Sequence, residues 1–278
     1  MDGVVAARAS QHGDSLEAYA ARNLPEGSLA PDLAEANVLR GEALRRAISD
    51  AMLEIGPRSR DVVAVLPDAA VRVVLLDFEA LPDKHPEAEA VVRFRLKKSL
   101  PFDVERARVS YQVQPSGAGL KVIAAVALAS VVDEYESAIR DAGYNPGVVL
   151  PSMLAALGAV DATRSTMVVK VDAFTTSIAI LDRSQLLLFR TLENSRGLNI
   201  TGEQLAEDVY PSVVFFQDTY QLDVERIFVA GLPGSEPALH SLHSQTGVEV
   251  EELVSSRHVS GNGVDRSRLA GVLGALVS

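Results

Sequence analysis

Two stretches of this 278-residue chain carry the same order of elements, and that repetition restricts the fold more than any single motif does. Near the start, Val4–Ala9 is strand-like, Gln11-His12-Gly13-Asp14 is a turn, and Leu16–Ala21 returns as a second strand. Leu39, Ala43, Leu44, Ala47, Ile48 and Met52 then recur at helical spacing, and Gly56-Pro57 closes that helix. Val62–Leu66 follows as a wholly apolar run, which predicts a buried strand covered on both faces. After Asp161–Ser165 the pattern restarts. Met167–Val171, Ser177–Leu181 and Gln185–Arg190 read as three strands with tight turns, and Leu205–Tyr220 as a helix that tolerates Pro211 only near a boundary or kink. Ile227–Ala230 is a strand ending at Gly231, Pro237–His243 a helix, Val248–Leu253 a strand and Arg266–Val277 a closing helix.

Between the two repeats lies a different unit. Val71–Phe78 reads as a strand, Glu87–Leu100 as a helix ended by Pro101, and Val109–Val113 and Val122–Leu128 as strands joined by Pro115-Ser116-Gly117-Ala118-Gly119. Val131–Ala142 is an amphipathic helix stopped by Gly143. This strand–helix–strand–strand–helix order describes a compact α/β unit over 70–143, expected to pack on the first repeat. The longest apolar stretches, Val148–Val160 and Leu269–Val277, are interrupted by Pro151 or by Gly271 and Gly274 and are too short to span a bilayer; they read as core helices. A meander followed by helix, strand and helix, present twice, is the pattern of a duplicated ribonuclease-H-like lobe.

Charge and composition exclude several function classes. Lys and Arg number 26 against 37 Asp and Glu, a net charge of −11, which argues against a general nucleic-acid binder because phosphate contacts need clustered cations. The absence of cysteine excludes disulfides, thiolate zinc sites, iron–sulfur clusters and cysteine nucleophiles. Met1–Arg8 lacks the basic start and long apolar run of a secretory signal, so a cytoplasmic location is expected.

Two stretches invite a ligand. In Val171-Asp172-Ala173-Phe174-Thr175-Thr176-Ser177 an apolar strand delivers an acidic residue into a hydroxyl-rich turn. Such a turn can present N–H groups and hydroxyls to a phosphate, with Asp172 facing a hydrated cation; the same residues equally suit a plain hairpin turn. In Ile227–Gly234, Gly231 and Gly234 permit close backbone approach to a ligand, while Leu232-Pro233 between them fits a simple strand-to-helix turn and removes one donor. His240 and His243 are three apart on a helix with no third ligand at a supporting spacing, which suits a polar face better than a metal site. Arg93, Arg95, Lys97 and Lys98 form the one dense basic cluster, either a solvated surface or a dock for an acidic segment.

Several of these pieces, in order, resemble the type IV pilus assembly protein PilM family. They are Leu66-Pro67-Asp68 before Val71–Phe78, the acidic helix start Glu87-Ala88-Glu89, and Lys98-Ser99-Leu100-Pro101-Phe102. Asp172–Thr176 looks like that family's second phosphate loop, Leu205–Tyr220 with Phe215-Phe216 like its long helix, and Val224–Gly231 like the strand before its adenosine loop. The resemblance implies an α/β, actin-like ATPase fold related to FtsA: a first ribonuclease-H-like lobe over 1–69 that resumes at 144–163, an inserted α/β subdomain over 70–143, and a second lobe over 164–278. It implies ATP with magnesium held by Asp172, Thr175, Thr176, Gly231 and Gly234. It also implies a PilN-like partner, an inner-membrane protein whose cytoplasmic tail would meet Phe94, Lys97, Lys98 and Phe102. Phe94 and Phe102 taken singly read as core residues of the subdomain.

The chain departs from the family pattern where the nucleotide would sit. Met1-Asp2-Gly3-Val4 falls where the family's second strand begins, without its first phosphate loop; Ala173-Phe174 replaces a glycine; Leu232-Pro233 replaces small residues; and the segment between Arg190 and Leu205 is short. The expectation is a scaffold, a degenerate ATPase with weak or no Mg-ATP binding, peripheral to the inner membrane through its partner. The alternatives are a functional ATPase of pilus biogenesis and the GspL-like cytoplasmic component of type II secretion, the latter disfavoured because no membrane span follows in the sequence.

Overall fold

In the computed structural model the described residues are 3–117, 119–259 and 265–277. Met1 and Asp2 of the opening segment, Ala118 of the 115–119 loop and Ser278 lie outside them. The hairpin is β1 (Gly3–Ala9) and β2 (Leu16–Asn23), antiparallel with Gly3 opposite Asn23 and Arg8 opposite Ala18. Helix α1 (Gly41–Ile55) lays Ala51 and Ile55 on it, where small Ala6 and Ala20 let the helix approach closely, and turns Leu44 and Ala47 into a cluster with Leu66 and Val131. Strand β3 (Asp61–Leu66) then pairs in parallel with the later β7 (Asn145–Pro151).

The intervening unit has a three-stranded antiparallel sheet of its own. Its elements are β4 (Arg72–Phe78), α2 (His85–Leu96), β5 (Ala107–Ser116), β6 (Gly119–Leu128) and α3 (Ala129–Asp141), with strand order β4-β6-β5. This is the anticipated element order, but the unit does not rest on the first half alone. Leu75 and Ile123 pack into a core cluster with Leu181 and Leu186 of the second half. Buried Gln114 donates from Nε2 to the Leu186 carbonyl (2.7 Å) and accepts from the Leu186 N–H (3.2 Å). Helix α3 clamps the first half: Glu134 accepts the Asn37 and Val38 N–H groups, each at 2.8 Å.

The second half contains one continuous sheet. Strands β8 (Thr166–Val171), β9 (Thr175–Asp182), β10 (Gln185–Glu193), β11 (Arg226–Ala230) and β12 (Glu249–Glu252) adopt the order β10-β9-β8-β11-β12. β8 is antiparallel to β9 and parallel to β11. Helix α5 (Gly202–Tyr220) starts at a capping box between Thr201 and Gln204 and buries Leu205, Val209, Val213 and Phe216 against one face with α6 (Glu236–Thr246). On the other face, α4 (Ser152–Leu157) packs against α7 (Ala270–Val277).

Three sequence expectations change. Val148–Pro151 belongs to β7, not to a core helix; β-branched valines pair with β3 until Pro151 ends the strand, and the helix begins at Ser152. Pro211 sits inside α5 rather than near its boundary. Pro211 and Glu207, whose carbonyl loses its helical partner, are both exposed, so water can satisfy the freed group. Val62–Leu66 is not covered throughout, since Val63 is 38% exposed.

Replacing Gln114 by Ala leaves the Leu186 N–H and C=O buried without partners. Urea unfolding should show a loss of about 1–3 kcal/mol in the Gln114→Ala variant, and an unchanged midpoint would remove this contact from the list of those joining the halves.

Candidate functional site

Where β8 leaves its sheet, the two halves meet over a buried charge cluster. β8 is apolar except for Thr166 and Lys170, and every residue in it is buried. Lys170 extends toward the first half, where Asp68 opens a short 3-10 turn (Asp68–Ala70) directly after β3. Lys170 Nζ lies 3.0 Å from Asp68 Oδ2 and 3.4 Å from Asp172 Oδ2. The Asp68 side chain is 2% exposed. Its Oδ2 also accepts from Ser177 Oγ (3.1 Å), and its Oδ1 accepts the Met153 N–H (2.7 Å) at the start of α4. Burial by itself lowers the Lys170 pKa, but the Asp68 and Asp172 carboxylates outweigh that, and the net direction is upward. The ammonium therefore stays charged between two carboxylates.

Asp172 spends its carboxylate on its own turn. Oδ1 accepts the N–H groups of Phe174 (2.8 Å) and Thr175 (2.7 Å), and Oδ2 accepts the Thr175 hydroxyl (3.0 Å) as well as facing Lys170. Asn194 fixes the same loop from outside, donating from Nδ2 to the Asp172 carbonyl (3.0 Å). The donors that a phosphate loop would aim at a ligand, the 174 and 175 N–H groups, are thus turned onto a carboxylate of the protein. The hydroxyl-rich stretch behaves as a capped hairpin turn.

Of the five residues expected around a nucleotide, Asp172 and Gly231 line a cavity of about 1020 Å³, together with Phe174 and Pro233. Thr175 and Thr176 are buried in β9, and Gly234 stands in open space at φ +61°. Gly231 has a role the sequence did not suggest. At φ +93° it lets the end of β11 cross the end of β8, and a Cβ there would overlap the Val171 carbonyl oxygen. Close approach is real, but the group approached is this chain's own backbone.

The basic helix end is a second candidate surface. Phe94 is 69% exposed, contrary to the core reading, and Val91 one turn earlier is also exposed. Lys97 and Lys98 are exposed, with Lys97 Nζ 3.8 Å from Glu105. Phe102 follows the core reading: it packs among Val92, Leu96 and Val104 beneath the helix. Arg93 is tied inward to Glu89 and the Val104 carbonyl, and Arg95 lies 5.2 Å over the Phe78 ring. His240 and His243 are exposed on α6, and among the described residues no three His, Asp or Glu side chains gather at metal-binding distance.

No protein-family model matches the sequence, and no curated protein matches it. Solved structures do. A chain of a PilM–PilN type IV pilus biogenesis complex aligns with TM-score 0.80 at 22% identity, covering 99% of this chain and 96% of that one. The chain has an actin-like ATPase fold. The cytoplasmic domain of EpsL, an inner-membrane component of the type II secretion system of Vibrio cholerae, aligns with TM-score 0.56 at 12% identity, covering 100% and 90%. Ethanolamine utilization protein EutJ from Carboxydothermus hydrogenoformans aligns with TM-score 0.52 at 10% identity, covering 99% and 85%. Lys170, Asp68 and Ser177 were missed as a unit by sequence reasoning. The available signal was a lone lysine in the apolar run Met167–Val171.

Lys170→Ala should cost about 3–5 kcal/mol, because Asp68 is then buried without a counter-charge. A raised lysine pKa contributes stability that is fully present below its unfolded value near about 10.4 and fades only as pH climbs through the folded value. The gap between wild type and Lys170→Met in urea midpoint should therefore not narrow between pH 6 and 9 and should narrow only above that range. At the neighbouring loop, Gly231→Ala should destabilise by more than Gly234→Ala, whose cost is backbone strain alone, about 1–3 kcal/mol. Thermal melts compare the two, and equal shifts would contradict the Val171 contact.

Proposed function

We propose that this chain is a PilM-like adaptor of type IV pilus assembly, which holds the cytoplasmic tail of a PilN-like inner-membrane protein and has a nucleotide site that no longer works. The observation that carries the reading is the likeness to the PilM–PilN complex over nearly the whole of both chains. On this reading 1–69 and 144–163 form one lobe, 164–278 the other, and 70–143 the inserted subdomain. The protein works at the cytoplasmic face of the inner membrane through its partner. Among the described residues no helix is long and apolar enough to cross a membrane, which accords with recruitment by a partner.

The degenerate site follows from competition for donors. A triphosphate loses hydration on binding and needs convergent N–H groups or cations in return. The Phe174 and Thr175 N–H groups are committed to Asp172, and Lys170 is committed to two carboxylates. Mg-ATP would have to displace these contacts before gaining its own. The adaptor surface is the exposed end of α2: Phe94 supplies an apolar anchor, and Lys97 and Lys98 attract an acidic tail or the anionic membrane surface despite the net charge of −11. Phe102 supports that surface from beneath. The likeness to the EpsL cytoplasmic domain favours a second reading, a type II secretion component that uses the same fold.

Titration calorimetry separates these readings. Mg-ATP should give no low-micromolar binding, and such binding would reinstate the ATPase. A synthetic PilN-like N-terminal tail should bind the wild type, and Phe94→Ala should weaken it by about 1–2 kcal/mol with an unchanged melting temperature. The Lys97→Glu, Lys98→Glu double variant should bind more weakly still at low salt. No binding by the wild type would remove the pilus adaptor reading, and binding of an EpsL-type partner segment in its place would favour the secretion system.

A further inference from the structure

Helix α5 carries an exposed outer face that is both acidic and apolar. The helix includes Glu203, Glu207, Asp208 and Asp218 and no Lys or Arg. Positions 203, 207, 210, 214 and 218 fall on one stripe at the helical repeat, and all of them are exposed. Glu203, Glu207 and Asp218 thus surround Tyr210 and Val214, with Phe215 exposed beside them. Arg190 of β10 lies 4.6 Å over the Phe215 ring, so one guanidinium already rests against this face. The end of α2 has the complementary chemistry. Phe94 is exposed there, with Arg95, Lys97 and Lys98. Lys97 Nζ is 3.8 Å from Glu105, and Lys98 makes no ion pair among the described residues.

The two patches face away from each other. β6 turns Val122, Ala124 and Val126 toward Val92 and Leu96 of α2, and Ile123 toward Leu181 and Leu186 of the second half. α2 therefore covers the side of its sheet turned from the second half. α5 packs on Met167 and Val169, the side of its own sheet opposite the cluster that receives Ile123. One copy cannot join its own patches. We propose that the chain associates head to tail with further copies of itself, the end of α2 in one copy docking on the outer face of α5 in the next. Phe94 supplies the apolar anchor against Tyr210 and Val214. Lys97 and Lys98 meet Glu207 and Asp218. That opposition of charge selects α2 on α5 over α2 on α2 or α5 on α5, each of which would bring like charges together. The occupant is a second copy because the complement stands on this chain, whose one dense basic cluster is the end of α2 within a net charge of −11. A contact between two different patches leaves one α2 end and one α5 face free at each stage, so growth continues past the dimer. The proposal does not rest on the adaptor reading; where a partner tail occupies the end of α2, it competes with the next copy.

The test is sedimentation velocity of the 278-residue protein alone, over a concentration series at low salt. The weight-average sedimentation coefficient should rise with concentration without stopping at a dimer, and about 0.5 M salt should reverse the rise. Two variants remove opposite ends: Phe94→Gln, and Glu207→Lys with Asp218→Lys. The three positions are exposed, so both variants should melt with the wild type; Tyr210→Ala probes the α5 face without a charge change. Each variant alone should raise the concentration needed for association at least about tenfold. Mixed in equal amounts, the Phe94→Gln and Glu207→Lys, Asp218→Lys proteins keep one intact α5 face and one intact α2 end between them, and should form a one-to-one dimer and nothing larger. A wild type that stays monomeric at every concentration, or that stops at a dimer, would overturn the proposal. So would association that none of the variants weakens, or a mixture that remains monomeric.

Discussion

The ion pair between Lys170 and Asp68 is the contact on which the relation of the two halves depends. Lys170 comes from the central strand of the second half and Asp68 from the turn after β3 in the first. Desolvating both groups is expensive, and their attraction offsets that cost only if the remaining valences are filled. They are filled: Asp68 also receives the Ser177 hydroxyl and the Met153 N–H, so one carboxylate joins β8, β9 and the start of α4. An apolar contact of the same size would hold the halves together without fixing their angle. The directed bonds fix it, and they leave the floor of the cleft electrically committed before any ligand arrives.

The other ties across the molecule point the same way. Gln114 joins the β4-β6-β5 sheet to the β9–β10 hairpin, and Glu134 joins α3 to the loop before α1. A protein whose halves must swing about a nucleotide needs an interface that breaks at low cost. Here a swing of the second half against the rest would strand a buried carboxylate and a buried amide. On the adaptor reading proposed above, these contacts would give a rigid body with a fixed surface at the exposed end of α2.

The strand and helix pattern was legible because periodicity reports burial, and the order hairpin, helix, strand recurs in both halves of the structure, as β1–β2, α1, β3 and as β9–β10, α5, β11. What the sequence hid follows from the same logic. Val148–Pro151 and Ser152–Leu157 form one apolar stretch, and periodicity cannot split a buried strand from a short buried helix. Phe94 reads as core because it is aromatic among helical apolar residues, yet Val92 and Leu96 occupy the inward face and leave it outside. Asp172 was legible as a turn residue and as a phosphate-loop residue. Four donors converge on its carboxylate and favour the turn reading, and Lys170 entered neither account because its partner Asp68 is 102 residues away.

An apolar cavity of this size would ordinarily close, since its walls gain contact by collapsing. The elements around it are held apart by packing elsewhere. α7 touches both β1 and β3, which line the cavity, and it is locked against α4 where Gly274 crosses the Ala155 carbonyl so closely that a Cβ would overlap it. α1 is held on the hairpin through Ala51 and Ile55, and β3 is held in register with β7 up to Leu66 and Pro151, next to Asp68. The charge cluster that sets the angle of the halves therefore also fixes one rim of the cavity, which Leu66, Lys170 and Asp172 line.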